Sequence, residues 1–223
     1  MVMTLRLLVA LVIAAALGGC NFFGKCSGPG CGSGHVVSQT RSVGNFTAVR
    51  MNAAGSLTIE QTGTDSLTVE TDDNLQPLIG ASVKDGTLTL SEQGCKDCSP
   101  TKLVFTVTVA DLKELDFASA GSANVSKVDG SRLAVTLSGA GTIKLSGRVD
   151  TLNITSSGVG SCNADGLVAK NATVEVRGVG IVRVNASDTL DAKVSGVGKI
   201  YYAGSPKLTQ SVSGVGSIQP ESK

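Results

Sequence analysis

In the second half of the chain apolar residues fall at every other position, with polar residues between them. Val174 and Val176 are interleaved with Thr173, Glu175 and Arg177, and Val182 and Val184 with Arg183 and Asn185. A period of two predicts short half-buried strands, because successive side chains in a strand point to opposite faces. The runs themselves recur around one motif: Ser119-Ala120-Gly121, Gly139-Ala140-Gly141, Gly158-Val159-Gly160, Gly178-Val179-Gly180, Gly196-Val197-Gly198 and Gly214-Val215-Gly216. The last residues of successive motifs are 20, 19, 20, 18 and 18 positions apart.

Counting from the last glycine of each motif, position −4 carries Phe117, Leu137, Ser156, Val176, Val194 and Val212. Position +2 carries Ala123, Ile143, Cys162, Val182, Ile200 and Ile218. Apolar residues therefore alternate on both sides of a glycine corner. A repeat of 18 to 20 residues has room for two or three short strands and none for a helical crossover. The architecture that fits is an all-β parallel β-helix with one coil per repeat, successive coils about 4.8 Å apart. One coil buries about five apolar side chains at roughly 1.5–3 kcal/mol each. Ordering its backbone costs about 1–2 kcal/mol per residue, so coils are stable only when stacked. An antiparallel sandwich of glycine hairpins is the alternative, but hairpins seldom repeat one corner sequence at a fixed period.

The structural turn glycines are Gly121, Gly141, Gly160, Gly180, Gly198 and Gly216, expected to adopt positive φ at the corner. The residues before them, Ala120, Ala140, Val159, Val179, Val197 and Val215, are expected to point inward as a ladder of their own. Five copies of Gly-x-Gly, with Ser replacing the leading Gly in the first motif, cannot all be phosphate loops, and no third glycine opens a helix. The calcium-binding nonapeptide repeat fails for want of its Asp and its period.

The coil series begins early. Val49, Met51, Ala54-Gly55, Leu57 and Ile59 match Leu115, Phe117, Ala120-Gly121, Ala123 and Val125. Between them Ser66–Glu70, Thr87–Ser91 and Val104–Val109 read as strands. They belong to a wider, less regular part of the solenoid or to a β-excursion from it, since terminal repeats are atypical.

The N-terminus reads as an address. Arg6 precedes an apolar run from Leu7 to Ala16, followed by Leu17-Gly18-Gly19-Cys20. A charged start, a short apolar core and small residues describe a secretory signal over residues 1–19. The cysteine that follows resembles the bacterial lipobox, which implies diacylation of Cys20. Plain secretion and an uncleaved helix are the alternatives, and the run is short for a span. Residues 20–35, rich in glycine, form a lipid-anchored tether, and residues 36–220 form the β-helix. Acyl chains would hold the protein on a membrane. Asn21 in place of an Asp favours the outer membrane by analogy.

Removal of residues 1–19 takes away one charge, Arg6, and leaves 18 basic and 18 acidic side chains. That balance argues against nucleic acid as a partner. Cys26 with Cys31, and Cys95 with Cys98, read as two local disulfides in an exported chain. A zinc site or a redox-active Cys95-Lys96-Asp97-Cys98 has less support, since the lone His35 stands near the tether. Cys162, on the +2 ladder, should be a buried free thiol.

Enzymes on parallel β-helices need clustered carboxylates or calcium ligands on one outer face. The acids of the repeats, Asp129, Asp150, Asp165, Glu175, Asp188 and Asp191, share no ladder position. Glu70, Asp72 and Asp73 cluster and are read as solvated loop charge rather than as a cation site. Trp is absent and only Tyr201 and Tyr202 are tyrosines, which leaves a sugar groove without stacking platforms. No catalytic residue, metal or cofactor is expected.

Several segments in order carry a family resemblance: Val43-Gly44-Asn45-Phe46-Thr47-Ala48-Val49, Val69-Glu70-Thr71-Asp72-Asp73-Asn74-Leu75, Val83-Lys84-Asp85-Gly86-Thr87-Leu88 and the later Ser-Gly-x-Gly repeats. Over about residues 40–218 the chain resembles the head GIN domain family, whose members are described as putative autotransporter-adhesin heads. The resemblance implies a right-handed single-stranded parallel β-helix (solenoid) and no catalytic residues. The expected role is an adhesion or binding module with a protein or glycan ligand; a self-associating periplasmic scaffold and a polysaccharide-acting enzyme are the alternatives.

Overall fold

A computed structural model describes residues 30–94 and 98–221. Fifteen strands account for most of them. The regular part is a parallel solenoid whose coils are nearly continuous strands: β9 (Ala120–Leu137), β10 (Ala140–Ser156), β11 (Val159–Val176) and β12 (Val179–Val194). The coil after β12 is divided between β13 (Val197–Ala203) and β14 (Lys207–Val212), and β15 (Val215–Pro220) stacks on β13. Each coil pairs in parallel with the next, and the motifs stay in register: Gly121 opposite Gly141, then Gly160, Gly180, Gly198 and Gly216.

The first coil is β2 (Ala48–Met51) with β3 (Gly55–Gln61), stacked on β8 (Glu114–Phe117) and the start of β9. Val49 lies opposite Leu115, Met51 opposite Phe117 and Gly55 opposite Gly121, the register expected from the pattern. The intervening residues form an excursion that folds back over the first coil. Its strands β6 (Thr87–Glu92) and β7 (Leu103–Val109) lie parallel to β2 and β3. Three antiparallel strands finish this end. They are β1 (Val36–Arg41) on β4 (Ser66–Asp72), β4 on β7, and β5 (Ile79–Lys84) on β6. Val83 and the Asp85-Gly86 turn belong to the β5–β6 hairpin, and Ile79–Lys84 is a strand that the pattern did not announce.

One core runs the length of the rod. Phe105, Phe117, Met51, Leu57 and Leu115 fill its wide N-terminal part, and Val174, Val176, Val184 and Val194 its narrower later coils. Cys162 occupies the expected ladder between Ile143 and Val182, 1 % exposed and unbonded, and burial raises its thiol pKa to about 12. It packs as a small hydrophobe.

The corner glycines have a different cause from the one expected. Only Gly121 and Gly160 take a positive φ, at 139° and 151°. What the other four share is close approach. A Cβ on Gly180 would lie 1.9 Å from the carbonyl oxygen of Gly160 one coil back, and one on Gly216 would lie 1.8 Å from that of Gly198. Such distances exclude any side chain without displacing backbone.

Replacing Gly180 by Ala should therefore destabilise the solenoid by about 1–3 kcal/mol, the usual penalty for overpacking. Gly130→Ala serves as the control, since its new Cβ would meet nothing closer than Asp111 Oδ1 at 3.6 Å. It should be neutral or slightly stabilising, because Gly within a strand costs about 0.5–1 kcal/mol relative to Ala. Urea midpoints that move equally for the two variants would refute the close-approach account.

Candidate functional site

The alternation that builds the core also decides what faces solvent. Positions −4, +2 and +4 from each corner glycine are inward, and this parity runs through the corner unbroken. The corner glycine is itself on the inward parity, so the residue before it points out. Ala120, Ala140, Val159, Val179, Val197 and Val215 are accordingly exposed, and the inward ladder expected for them is corrected. Val159 is 58 % accessible, Val179 49 %, Val197 51 % and Val215 73 %. They stand in register from β9 to β15. With neighbours about 4.8 Å apart, six positions make an apolar ledge about 24 Å long, flanked by bare glycine backbone. At its C-terminal end lies a shallow groove of about 390 Å³, lined by Val179, Val197 and Val215 with Ile181 and Lys199 beside them.

Several acidic side chains outside this ledge are paired along the outer faces. Glu175 bonds Arg177 at 2.6 Å and faces Lys193 at 3.4 Å one coil on, and Arg177 above all holds its carboxyl below the usual value. Asp150 pairs with Lys170 at 2.7 Å, and Arg50 with Asp116 at 2.9 Å. Asp165 differs: burial raises its pKa, Glu221 adds to the effect, and its Oδ1 has no hydrogen-bond partner. Among the described residues no three His, Cys, Asp or Glu side chains gather as a metal site.

The Glu70–Asp72–Asp73 cluster is separated by the fold. Glu70 points out to Lys102 at 2.7 Å. Asp73 accepts from Ser33 Oγ and from the Asn74 backbone N–H. Asp72 is wholly buried, and the expectation of a solvated loop charge is corrected for it. Its carboxylate accepts from the backbone N–H of Gly34 at 2.8 Å and of Thr101 at 2.7 Å. Burial pushes its pKa up, but these hydrogen bonds prevail and hold it below the usual carboxylate range. Gly32 lies against the same carboxylate, where a Cβ would be 2.4 Å from Oδ2. Residues 30–35, the end of the expected tether, are thus clamped onto the head.

That clamp lies beside the cysteines. Gly32 N–H donates to Ser99 O at 3.0 Å and Ser99 N–H to Gly30 O at 2.9 Å, so Cys31 and Ser99 form a β-bridge. Cys31 and Cys98 are both disulfide-bonded. Cys26 and Cys95, with which the local pairing was read, lie outside the described residues, as do the lipidation residue Cys20 and the signal segment 1–19. The two cysteine segments, distant in sequence, share one place in the fold.

With this geometry in view, the family model described as a putative auto-transporter adhesin, head GIN domain, matches residues 45–206. The chain belongs to the head GIN domain family. Among solved structures, a putative adhesin from Bacteroides fragilis is similar at 27 % identity and a TM-score of 0.74, covering 86 % of this chain and 99 % of its own. A putative lipid binding protein from Parabacteroides distasonis shares the fold at 23 % identity and a TM-score of 0.50, covering 86 % and 99 %. A putative adhesin from Parabacteroides merdae does so at 20 % and 0.50, covering 86 % and 98 %. No functionally curated protein matches the sequence.

The Asp72 clamp makes a test of this head GIN domain. A carboxylate with a depressed folded pKa contributes stability above its unfolded pKa and loses it as pH falls through the folded value. Asp72→Asn should cost about 1.5–3 kcal/mol at neutral pH, the range for hydrogen bonds to a charged group. Its deficit should shrink as the wild type is acidified below the ordinary carboxylate range. A deficit that stays constant across that range in thermal melts would remove the charge from the explanation.

Proposed function

We propose that the chain is a lipid-anchored, non-enzymatic binding module of the bacterial cell envelope, an adhesion head for a protein or glycan ligand. The observation that carries this reading is the ledge. A fold that spends a glycine at every corner to stack its coils presents one aligned row of valines to solvent rather than burying them. Contiguous exposed apolar surface on a soluble face marks interaction sites. Its geometry is set by main-chain pairing, so a ligand would meet a preformed surface with little ordering cost. Family membership supports the same class of role, and the outer-face acids engaged in cross-coil pairs give no support to hydrolytic chemistry.

The anchor in this reading is Cys20, diacylated after removal of residues 1–19, with the outer membrane as its site. No helix among the described residues is long and apolar enough to cross a membrane. The clamp at Gly32 and Gly34 would hold the tether to one end of the rod, leaving the ledge to run away from the membrane.

Two measurements test the proposal together. Cells fed a labelled fatty acid should label the wild-type chain and not a Cys20→Ser variant. Protease shaving of intact cells carrying a tag after Lys223 should remove the tag without lysis. Loss of the tag only after lysis would sink the adhesion role while leaving a binding role inside the envelope. Absence of acyl label would sink the anchor alone.

A further inference from the structure

The two ends of the rod are built differently. At the N-terminal end β1, β4 and β5 lie antiparallel over the stack. Side chains seal what remains. The Arg41 guanidinium donates to Ile79 O, to Gln76 O at 2.9 Å and to Gln76 Oε1 at 3.0 Å. The Gln76 amide donates in turn to Val37 O at 3.1 Å and Val69 O at 3.0 Å. At the C-terminal end no such antiparallel layer is found among the described residues. β14 pairs only with β12 and β15 only with β13, and no described strand covers their other edges. Positions that are closed in the preceding coil are open here: Val194 is 0 % exposed and its stacking partner Val212 is 46 % exposed.

We propose that this open end docks a second copy of the chain, tail to tail. β14 of one copy would lie antiparallel to β15 of the other, with Gly214 on the two-fold axis. Symmetry in the last coil carries the inference. Two six-residue strands flank the Ser213-Gly214 corner, so a two-fold axis through the corner lays each strand on its opposite number. Main-chain polarity then selects the register. At the corner the N–H groups of Ser213 and Gly214 point back to Val194 O and that of Val215 to Gly196 O, and beyond it that of Glu221 points to Tyr202 O. Backbone groups alternate along a strand, so those of Leu208, Gln210, Val212, Gly216 and Ile218 point to the free edge. Pairing about Gly214 sets Gln210 opposite Ile218 and Val212 opposite Gly216, free edge to free edge and inward side chain to inward side chain. A slip of one residue would turn every pair away.

Charge selects the same register. From 207 to 221 the only charged residues are Lys207 and Glu221, at the two extremes. Pairing about Gly214 places Lys207 of each copy opposite Glu221 of the other, so two ion pairs close the rim of an otherwise uncharged seam. Solvent-exposed edges are commonly protected from pairing by interior charges or short strands. Glu221 also faces Arg183 of its own chain at 3.5 Å, so the ion pair across the seam would extend that contact, while Lys207 is in no ion pair among the described residues. The paired rod would carry its tethers at opposite ends, so its two copies would reach from facing membranes. That last step rests on the lipid anchor proposed above; the pairing itself does not.

Sedimentation of the purified full chain over a concentration series tests the pairing. The wild type should show a reversible monomer–dimer equilibrium. Lys207→Glu and Glu221→Lys should each weaken it about tenfold or more, because each turns two attractions into repulsions. The double variant should restore it. Gln210→Pro offers a test independent of charge: its N–H serves no partner within the chain, and Pro is tolerated on an edge strand in that orientation. It should leave the melting temperature unchanged and abolish the dimer. A wild type that stays monomeric overturns the proposal, as does a dimer indifferent to these variants or a folded double variant that does not reassociate. Acyl labelling reads the anchor separately, so failure of one leaves the other interpretable.

Discussion

Everything in this protein follows from the requirement that each coil hydrogen-bond in register to the coil before it. In-register stacking fixes the coil spacing near 4.8 Å and leaves no freedom for any position to change face alone. It makes ladders of like residues, such as Ile143, Cys162, Val182, Ile200 and Ile218, because each inward side chain must fill the space directly beyond its predecessor. It also explains the corners. Where the chain bends, successive backbones approach until the Cα of Gly198 lies against the carbonyl of Gly180, and no residue with a Cβ fits. The glycines are thus imposed chiefly by the neighbouring coil, and only at Gly121 and Gly160 also by the local dihedral.

A stack held this way has a weakness at its ends, where ladders and core lose their next layer. Repeat proteins answer with atypical caps. Here the answer at the N-terminal end is made of antiparallel strands plus polar plugs: Arg41 and Gln76 on one side, Asp72 on the other. These buried polar groups are affordable because each finds backbone donors or acceptors; unpaired they would cost more than they stabilise. The ion pairs along the outer faces are a different matter. Several have both partners well exposed, as with Lys170 and Asp150, and contribute little beyond local alignment.

The regular coils were legible in the sequence because stacking writes itself as a period. Val49 and Met51 could be laid on Leu115 and Phe117 across more than sixty intervening residues, and the structure has that register. The orientation of the valine row was also written there, in the odd spacing of Val179 or Val197 from inward neighbours. Treating the corner as a turn that resets parity hid it. Other features left no periodic trace. The Ile79–Lys84 strand carries Gly80, Ala81 and Ser82, weak strand formers that pair because β6 offers an edge. Asp72 sits in an acidic stretch that looks solvated, and the N–H groups that accept it into the interior come from Gly34 and Thr101, 38 and 29 residues away. The bridge of Cys31 to Ser99 likewise joins segments far apart in the sequence.

The asymmetry of the rod gives the architecture its functional sense. Coils repeat backbone geometry closely, so a row of side chains on one corner keeps a fixed pitch and direction over six layers, something a loop-built site cannot hold. Such a row suits a ligand that is itself extended, and it needs no closure or ordering to receive one. The same stiffness transmits position. With residues 30–35 clamped at the capped end, the last described coils lie at the opposite end of the rod, and the stacked backbone fixes their distance and direction from the clamp.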